Sequence, residues 1–143
     1  MSMNFRRKLP VPKEIKELYP LNDKIKAIKT ERDAMIADVF NGKSDKFLLI
    51  IGPCSADNED SVMDYTCRLS RLQEQVKDKI IIIPRIYTNK PRTTGEGYKG
   101  MIHQPDPTKG EDMLEGLIHV RKLHTRAIEE TGLAEQAASR PPR

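Results

Sequence analysis

The sequence predicts an α/β fold with parallel strands. Two continuous apolar runs, Phe47–Gly52 and Ile80–Tyr87, have the composition of strands that are covered on both faces. Between them, residues 60–77 carry apolar side chains at helical spacing, which gives a strand–helix–strand unit with the connection length of a right-handed parallel crossover. Each strand runs directly into polar and reactive residues, which is typical of the active-site face of α/β proteins.

The segment before the first strand is predicted to be mainly helical. A short helix over Lys13–Leu18 is expected to end before Pro20. A longer helix begins at Asn22 or Asp23, which are both good N-cap residues, and ends at Gly42. Its apolar positions fall mainly on one face: Ile25, Ile28, Met35, Ile36 and Val39.

The part after the second strand is predicted to be a long loop followed by one helix. The loop Thr88–Gly110 is rich in Gly, Pro and Thr and is long for a plain connection, which indicates a functional loop. The helix Glu111–Glu130 stops at Gly132. A third strand is due next, but residues 134–143 have no β-branched run and contain two adjacent prolines, so we expect none. The second strand would then expose an unpaired edge, and the fold would be marginally stable.

Length and composition narrow the class of protein. The 143 residues suffice for one ordinary domain, and 32% of them are charged. No apolar run approaches the ~20 residues of a membrane span, and no apolar stretch follows the basic N-terminus, so we expect neither a membrane protein nor a secretory signal. Two cysteines are too few for a disulfide framework, which favours a reduced, cytoplasmic setting.

The basic charge balance favours small anions over nucleic acid as ligands. The net charge is +4, but the basic residues are interleaved with acidic ones, as on a solvated helix face. The sequence has no zinc-finger spacing, no RNP-type aromatic strand and no Trp for base stacking. A nucleic-acid binder would show steeply salt-dependent affinity.

Cations and hydroxyls cluster directly after the second strand. Arg85, Lys90 and Arg92 provide guanidinium and ammonium groups, and Thr93 and Thr94 provide hydroxyls. These groups suit a phosphate- or carboxylate-bearing substrate. The alternative is a set of solvated cations at a strand end and in a loop. The adjoining Thr-Thr-Gly-x-Gly pattern favours binding, because small residues let backbone amides approach an anion.

The two cysteines lie in different contexts. Cys54 follows Gly52-Pro53 at the end of the first strand, opposite the cationic loop, where a metal ligand or reactive thiolate is favoured over a buried small hydrophobe. Cys67 lies inside an amphipathic helix and is expected to serve packing. The three histidines are assigned no function: His103, His119 and His124.

Four stretches together resemble one enzyme family. They read Leu-Ile-Ile-Gly-Pro-Cys-Ser at 49–55, Pro-Arg-Ile-Tyr at 84–87, Lys-Pro-Arg-Thr-Thr at 90–94 and Gly-Tyr-Lys-Gly at 97–100. With them, residues 10–133 resemble class I 3-deoxy-D-arabino-heptulosonate 7-phosphate (DAHP) synthase, a transferase at the first step of the shikimate pathway to aromatic amino acids. The resemblance implies a (β/α)₈ barrel with an N-terminal extension, a cytoplasmic homo-oligomer and phosphorylated small-molecule substrates.

The resemblance also implies roles for single residues. The family condenses phosphoenolpyruvate with erythrose 4-phosphate and needs a divalent metal of the Mn, Fe, Co or Zn class. By position, Cys54 matches a metal ligand, and Arg85 and Lys90 match residues that hold phosphoenolpyruvate. Lys90 also lies beside the reacting centre and is the implied catalytic residue. Arg92 and Thr93 match the site for the phosphate of erythrose 4-phosphate.

The resemblance divides the chain into residues 1–45 as the N-terminal extension, 46–133 as the first two βα units, and 134–143 as an aberrant tail. A barrel of this kind takes on the order of 250 residues. The resemblance therefore implies the N-terminal part of the enzyme, from a truncated or frame-shifted gene, without the later His and acidic metal ligands. We expect the chain alone to be inactive and to hold no metal tightly. The alternative is a non-catalytic anion-binding partner or regulatory module.

Overall fold

The computed structural model of the chain describes residues 8–90, 97–134 and 136–137. Within these ranges the elements follow in the order α1 (Pro12–Leu18), α2 (Asp23–Phe40), β1 (Phe47–Ile51), α3 (Glu59–Val76), β2 (Ile80–Ile86), α4 (Met113–Thr131) and β3 (Gln136–Ala137). The strands form one sheet in the order β1–β2–β3, and both pairs are parallel. The predicted α/β class with parallel strands is therefore confirmed for the described part of the chain.

The helix ends lie at capping residues, of which the sequence predicts Asn22 and Gly132. Asn22 Oδ1 accepts the backbone N–H of Ile25 at 2.8 Å, which starts α2. Asp112 Oδ1 accepts two backbone N–H groups of the first turn of α4, each at 3.1 Å. Gly132 ends α4 with a φ of 68°, and its N–H donates to the carbonyl oxygen of Ile128 at 2.9 Å. None of the described helices is both long enough and apolar enough to cross a membrane.

The core lies between β2 and the helices α3 and α4. Its larger cluster of buried side chains contains Ala56, Val62, Met63, Ile86, Met101, Leu123 and Ala127. A smaller cluster contains Leu69, Ile82 and Leu133. Cys67 packs against the larger cluster, which confirms the packing role predicted for it. The core therefore holds β2 rigidly against two helices.

β1 is more exposed than its composition predicts. Phe47 is 76% exposed and Ile50 is 50% exposed, so the prediction that both faces are covered is wrong for the described chain. β1 pairs with β2 over its whole length, from Phe47 opposite Ile80 to Ile51 opposite Pro84. However, α3 packs on β2, whereas α4 packs mainly on α3 and α2. The contact of α2 with β1 is slight. A continuous apolar run indicates a strand whose two faces favour burial, but it does not show which elements pack on them.

A short third strand forms where the sequence predicts none. Gln136 and Ala137 pair in parallel with Arg85 and Ile86 of β2. The prediction that residues 134–143 supply no strand is wrong at these two positions. A ladder is made by backbone N–H and C=O groups, which every residue except proline carries, and the two adjacent prolines lie beyond the paired residues in the sequence.

Nearer to the start of β2, side chains hydrogen-bond to the strand edge that β3 pairs with further along. Gln73 Nε2 donates to the carbonyl oxygen of Ile80 at 2.8 Å, and Gln73 Oε1 accepts the N–H of Ile82 at 2.6 Å. Arg32 Nη2 donates to the carbonyl oxygen of Ile82 at 2.5 Å. The predicted unpaired edge is therefore occupied by Gln73 and Arg32 over one part of its length and by β3 over another.

Candidate functional site

The candidate site lies where β1 and β2 end side by side. Because the two strands are parallel, the loops that follow them leave the sheet at the same edge. Gly52 and Arg85 are in direct backbone contact there, since a Cβ on Gly52 would lie 1.8 Å from the carbonyl oxygen of Arg85. Only glycine fits at position 52, and the two loops therefore start in fixed positions relative to each other.

The loop after β1 is held to the end of β2 at two points. Arg85 Nη2 donates to the carbonyl oxygen of Pro53 at 3.2 Å. Further on, the N–H of Ala56 donates to the carbonyl oxygen of Tyr87 at 2.9 Å. Cys54 lies between these two attachments and is exposed. The loop thus presents the Cys54 thiol at the sheet edge in a defined position.

Three of the predicted site residues meet at this edge. Lys90 Nζ donates to Cys54 Sγ at 3.3 Å. Arg85 lies on the other side of the same loop, where its guanidinium contacts Pro53. Arg92 and Thr93, which are predicted to bind the second phosphate, lie outside the described residues.

Two backbone hydrogen bonds join the segment that ends at Lys90 to the segment that begins at Gly97. The N–H of Lys90 donates to the carbonyl oxygen of Lys99 at 2.9 Å, and the N–H of Ile102 donates to the carbonyl oxygen of Thr88 at 3.0 Å. Gly100 has a φ of +99°, and a Cβ there would lie 2.5 Å from the Thr88 carbonyl oxygen. Glycine at this position allows the two ends to pair, which fixes the backbone of Lys90.

The site is electrostatically positive. No carboxylate of the described residues forms an ion pair with Arg85 or Lys90, whereas most ion pairs lie on the helix surfaces. The Arg85 guanidinium carbon lies 4.9 Å from the centroid of the Tyr87 ring. Arg85 is therefore held by neutral groups, and both cations keep their charge for an anionic ligand.

Tyr98 is a polar residue near the site that the sequence analysis missed. Burial raises the pKa of the Tyr98 phenol, and the negative charge of Asp57 adds to the effect. The phenol therefore remains protonated over a wider pH range than usual.

His119 also has a role that the sequence did not indicate. Its Nε2 lies 3.2 Å from Glu59 Oε2, and Arg126 Nη1 lies 2.6 Å from Glu59 Oε1. Arg126 also pairs with Glu130 at 2.7 Å. These contacts join the start of α3 to α4, so the role they support is structural.

The described residues do not by themselves fit a complete metal site. Cys54 offers one thiol ligand, whereas protein metal sites of the zinc type use three or four protein ligands. Among the residues that the structure describes, no group of three or more His, Cys, Asp or Glu side chains lies close enough together to hold a metal ion. A complete metal site at Cys54 would therefore need ligands from outside the described residues.

Comparison with known proteins places the chain in a family. Residues 20–131 match the model of the DAHP synthetase I family. The chain belongs to this family. It is 37% identical over 116 residues to a phospho-2-dehydro-3-deoxyheptonate aldolase of Corynebacterium glutamicum, in an alignment that covers 80% of this chain and 31% of that protein. It is also 37% identical over 120 residues to the Phe-sensitive phospho-2-dehydro-3-deoxyheptonate aldolase of Escherichia coli, covering 78% of this chain and 34% of that protein.

A solved structure supports the same assignment. The phospho-2-dehydro-3-deoxyheptonate aldolase of Francisella tularensis superposes with a TM-score of 0.85 and 25% sequence identity, over 95% of this chain and 39% of that one. The family recognised from the sequence motifs is therefore confirmed. The chain spans 31% and 34% of the length of the two curated relatives described above. Within this DAHP synthetase I family chain, the Gly-Pro-Cys-Ser and Pro-Arg-Ile-Tyr motifs are the stretches that meet at the candidate site.

Proposed function

We propose that this chain carries part of the active site of a DAHP synthase, the transferase that condenses phosphoenolpyruvate with erythrose 4-phosphate at the entry to aromatic amino acid biosynthesis. The observation that carries the proposal is the meeting of Cys54, Arg85 and Lys90 at the carboxyl ends of two parallel strands. Family membership supports the assignment. In the same proposal, β1–α3 and β2–α4 are the opening units of a (β/α)₈ barrel, and residues before β1 form its extension.

Arg85 and Lys90 are proposed to bind phosphoenolpyruvate. This substrate carries a carboxylate and a phosphate, and the two cations have no competing carboxylate among the described residues. The planar guanidinium of Arg85 can donate two parallel hydrogen bonds to one anionic group, whereas the ammonium of Lys90 acts as a movable point charge. Lys90, next to the thiol of Cys54, is proposed to lie beside the reacting carbon and to act in catalysis.

The remaining family roles are proposed for residues around this pair. Arg92 and Thr93 follow Lys90 directly and are proposed to bind the phosphate of erythrose 4-phosphate. Cys54 is proposed to supply one ligand to a divalent metal, with the others from outside the described residues. Since one thiol cannot complete a coordination shell, we expect negligible turnover when the chain alone is mixed with both substrates and Mn²⁺. Metal-dependent turnover by the purified chain would contradict this expectation.

Binding of phosphoenolpyruvate to the chain tests the proposal. Isothermal titration calorimetry would compare the wild type, Arg85→Ala and a matched control, Arg71→Ala, which removes an exposed arginine of α3. Loss of a charge-assisted contact with an anion should weaken binding by about 1.5–3 kcal/mol, or about ten- to a hundredfold. The control should bind as the wild type does. Equal affinity of all three proteins would contradict a binding role for Arg85.

A further inference from the structure

We infer that Tyr87 is a positioning residue, which orients the Arg85 guanidinium for the anionic substrate. The inference deepens the proposed function and rests on it, because Arg85 is there the ligand of phosphoenolpyruvate. No motif in the sequence analysis assigned a role to Tyr87. Its role follows from where its ring and its backbone lie.

Two contacts orient the guanidinium. The ring of Tyr87 lies over the group, with 4.9 Å between the ring centroid and Cζ of Arg85. The carbonyl oxygen of Pro53 accepts a hydrogen bond from Nη2 at 3.2 Å, at the edge of the group. One contact is with the Tyr87 ring and the other is a hydrogen bond from Nη2, so together they limit the movement of the planar group.

Both contacts leave the charge of Arg85 available. A carbonyl oxygen and an aromatic ring carry no net charge, whereas a carboxylate in either place would neutralise the guanidinium and compete with an incoming anion. Arg85 forms no ion pair with a carboxylate of the described residues, and its hydrogen bond to Pro53 uses one of its several N–H donors. The remaining donors can bind an anion.

The backbone that carries the Tyr87 ring is held in place. Tyr87 lies two residues after Arg85, and in extended backbone such residues project to the same side. Its carbonyl oxygen accepts the N–H of Ala56 at 2.9 Å, so the loop after β1 holds the backbone that carries the ring. Loss of the ring should therefore free the guanidinium without displacing the strand.

The test uses two substitutions in the full chain. Tyr87→Phe keeps the ring and removes the hydroxyl, whereas Tyr87→Leu removes the ring. The first readout is the NMR signal of the Arg85 Nε–H group, identified by its absence in Arg85→Lys. The ring shifts the resonance of this group, so the signal should move in Tyr87→Leu and stay in place in Tyr87→Phe. The second readout is the affinity for phosphoenolpyruvate, which should fall about three- to tenfold in Tyr87→Leu and stay within about twofold in Tyr87→Phe.

The outcomes separate this inference from the proposed function. An Arg85 signal in the same position in Tyr87→Leu and the wild type would overturn the inference, as would equal affinity of these two proteins for phosphoenolpyruvate. If no variant binds phosphoenolpyruvate but the Arg85 signal still depends on the ring, the proposed function is wrong and the orienting role of Tyr87 is supported. Backbone amide spectra that match the wild type would show that Tyr87→Leu is folded.

Discussion

The side-chain oxygen of Gln73 accepts the backbone N–H of Ile82 at 2.6 Å, as the carbonyl oxygen of a neighbouring strand would. The amide nitrogen of the same side chain donates to the carbonyl oxygen of Ile80 at 2.8 Å. A glutamine amide has the donor and acceptor of a peptide group, so it can replace one peptide of a strand at a sheet edge. Gln73 is 5% exposed, and these hydrogen bonds are therefore shielded from water.

Replacing Gln73 by Leu should destabilise the fold substantially. The change removes both hydrogen bonds and leaves the buried N–H of Ile82 and the partly buried C=O of Ile80 without their Gln73 partner. Each unsatisfied buried group costs about 1–3 kcal/mol, so we expect a loss of about 2–4 kcal/mol in the free energy of unfolding. Urea denaturation would measure the loss, and hydrogen exchange should show faster exchange of the Ile82 amide.

Gln75→Leu is the matched control for this change. Gln75 lies on the same helix but is exposed, so its replacement should alter stability by no more than about 0.5 kcal/mol. If both variants lost the same stability, the contact of Gln73 with β2 would not be the cause. Self-association of Gln73→Leu alone, seen by light scattering, would further indicate that Gln73 protects the edge.

The elements of the fold were predictable because their signals are local. The helix start at Asn22 and the helix stop at Gly132 depend on residues within one turn of each end. The partners of Arg32 and Gln73 were not predictable, because a polar position on a helix does not show which strand edge it reaches. Placing a charged side chain at a buried strand edge is unfavourable, as Arg32 shows. Burial lowers the pKa of its guanidinium, and its Nε has no hydrogen-bond partner among the described residues.

The sequence predicted individual side chains of the candidate site, but it did not predict the residues that hold those side chains in place. Cys54, Arg85 and Lys90 could be found because each lies near the end of a recognisable strand. Tyr87 could not, because its importance comes from a ring placed over Arg85 through space. The close approach at Gly52 was equally hidden, since a glycine in a loop shows no sign of which backbone it faces.

Gly52→Ala should disrupt both the fold and the candidate site. The new Cβ would lie 1.8 Å from the carbonyl oxygen of Arg85 and 2.7 Å from its carbonyl carbon, and backbone atoms of a buried strand cannot move away cheaply. We expect a loss of on the order of 3 kcal/mol in the free energy of unfolding, measured by thermal or urea denaturation. Gly110→Ala is the control, since nothing lies within 4 Å of a Cβ there. A Gly52→Ala protein as stable as this control would show that the strand ends are not in tight contact.

Asp106 should titrate at unusually low pH. The pKa of its carboxyl is lowered to about 2, first by the Thr108 hydroxyl and then by the Lys109 ammonium, which both hydrogen-bond to it. Because the folded-state pKa is lowered, its contribution to stability is present above pH 3.8, the ordinary value, and is lost as the pH falls towards 2. Thr108→Ala should raise this pKa towards the ordinary value, as read from an NMR titration of the Asp106 side chain. Lys109→Met should raise it less, and an unchanged Asp106 titration in Thr108→Ala would contradict the assignment.

Cys54 and Cys67 should differ in both reactivity and metal dependence. Cys54 is exposed beside the Lys90 ammonium, whereas Cys67 is partly buried against the larger core cluster. A thiol reagent should therefore label one cysteine of the native chain quickly, and Cys54→Ser should remove this fast phase while Cys67→Ser leaves it unchanged.

In a full-length relative with the corresponding changes, replacement of the Cys54 thiol should lower metal affinity, because a hydroxyl is a poorer ligand than a thiolate for soft metals. Replacement of Cys67 should instead cost about 1–2 kcal/mol of stability through burial of a hydroxyl, with metal affinity retained. Equal effects of the two changes on metal affinity would show that Cys54 is not the ligand.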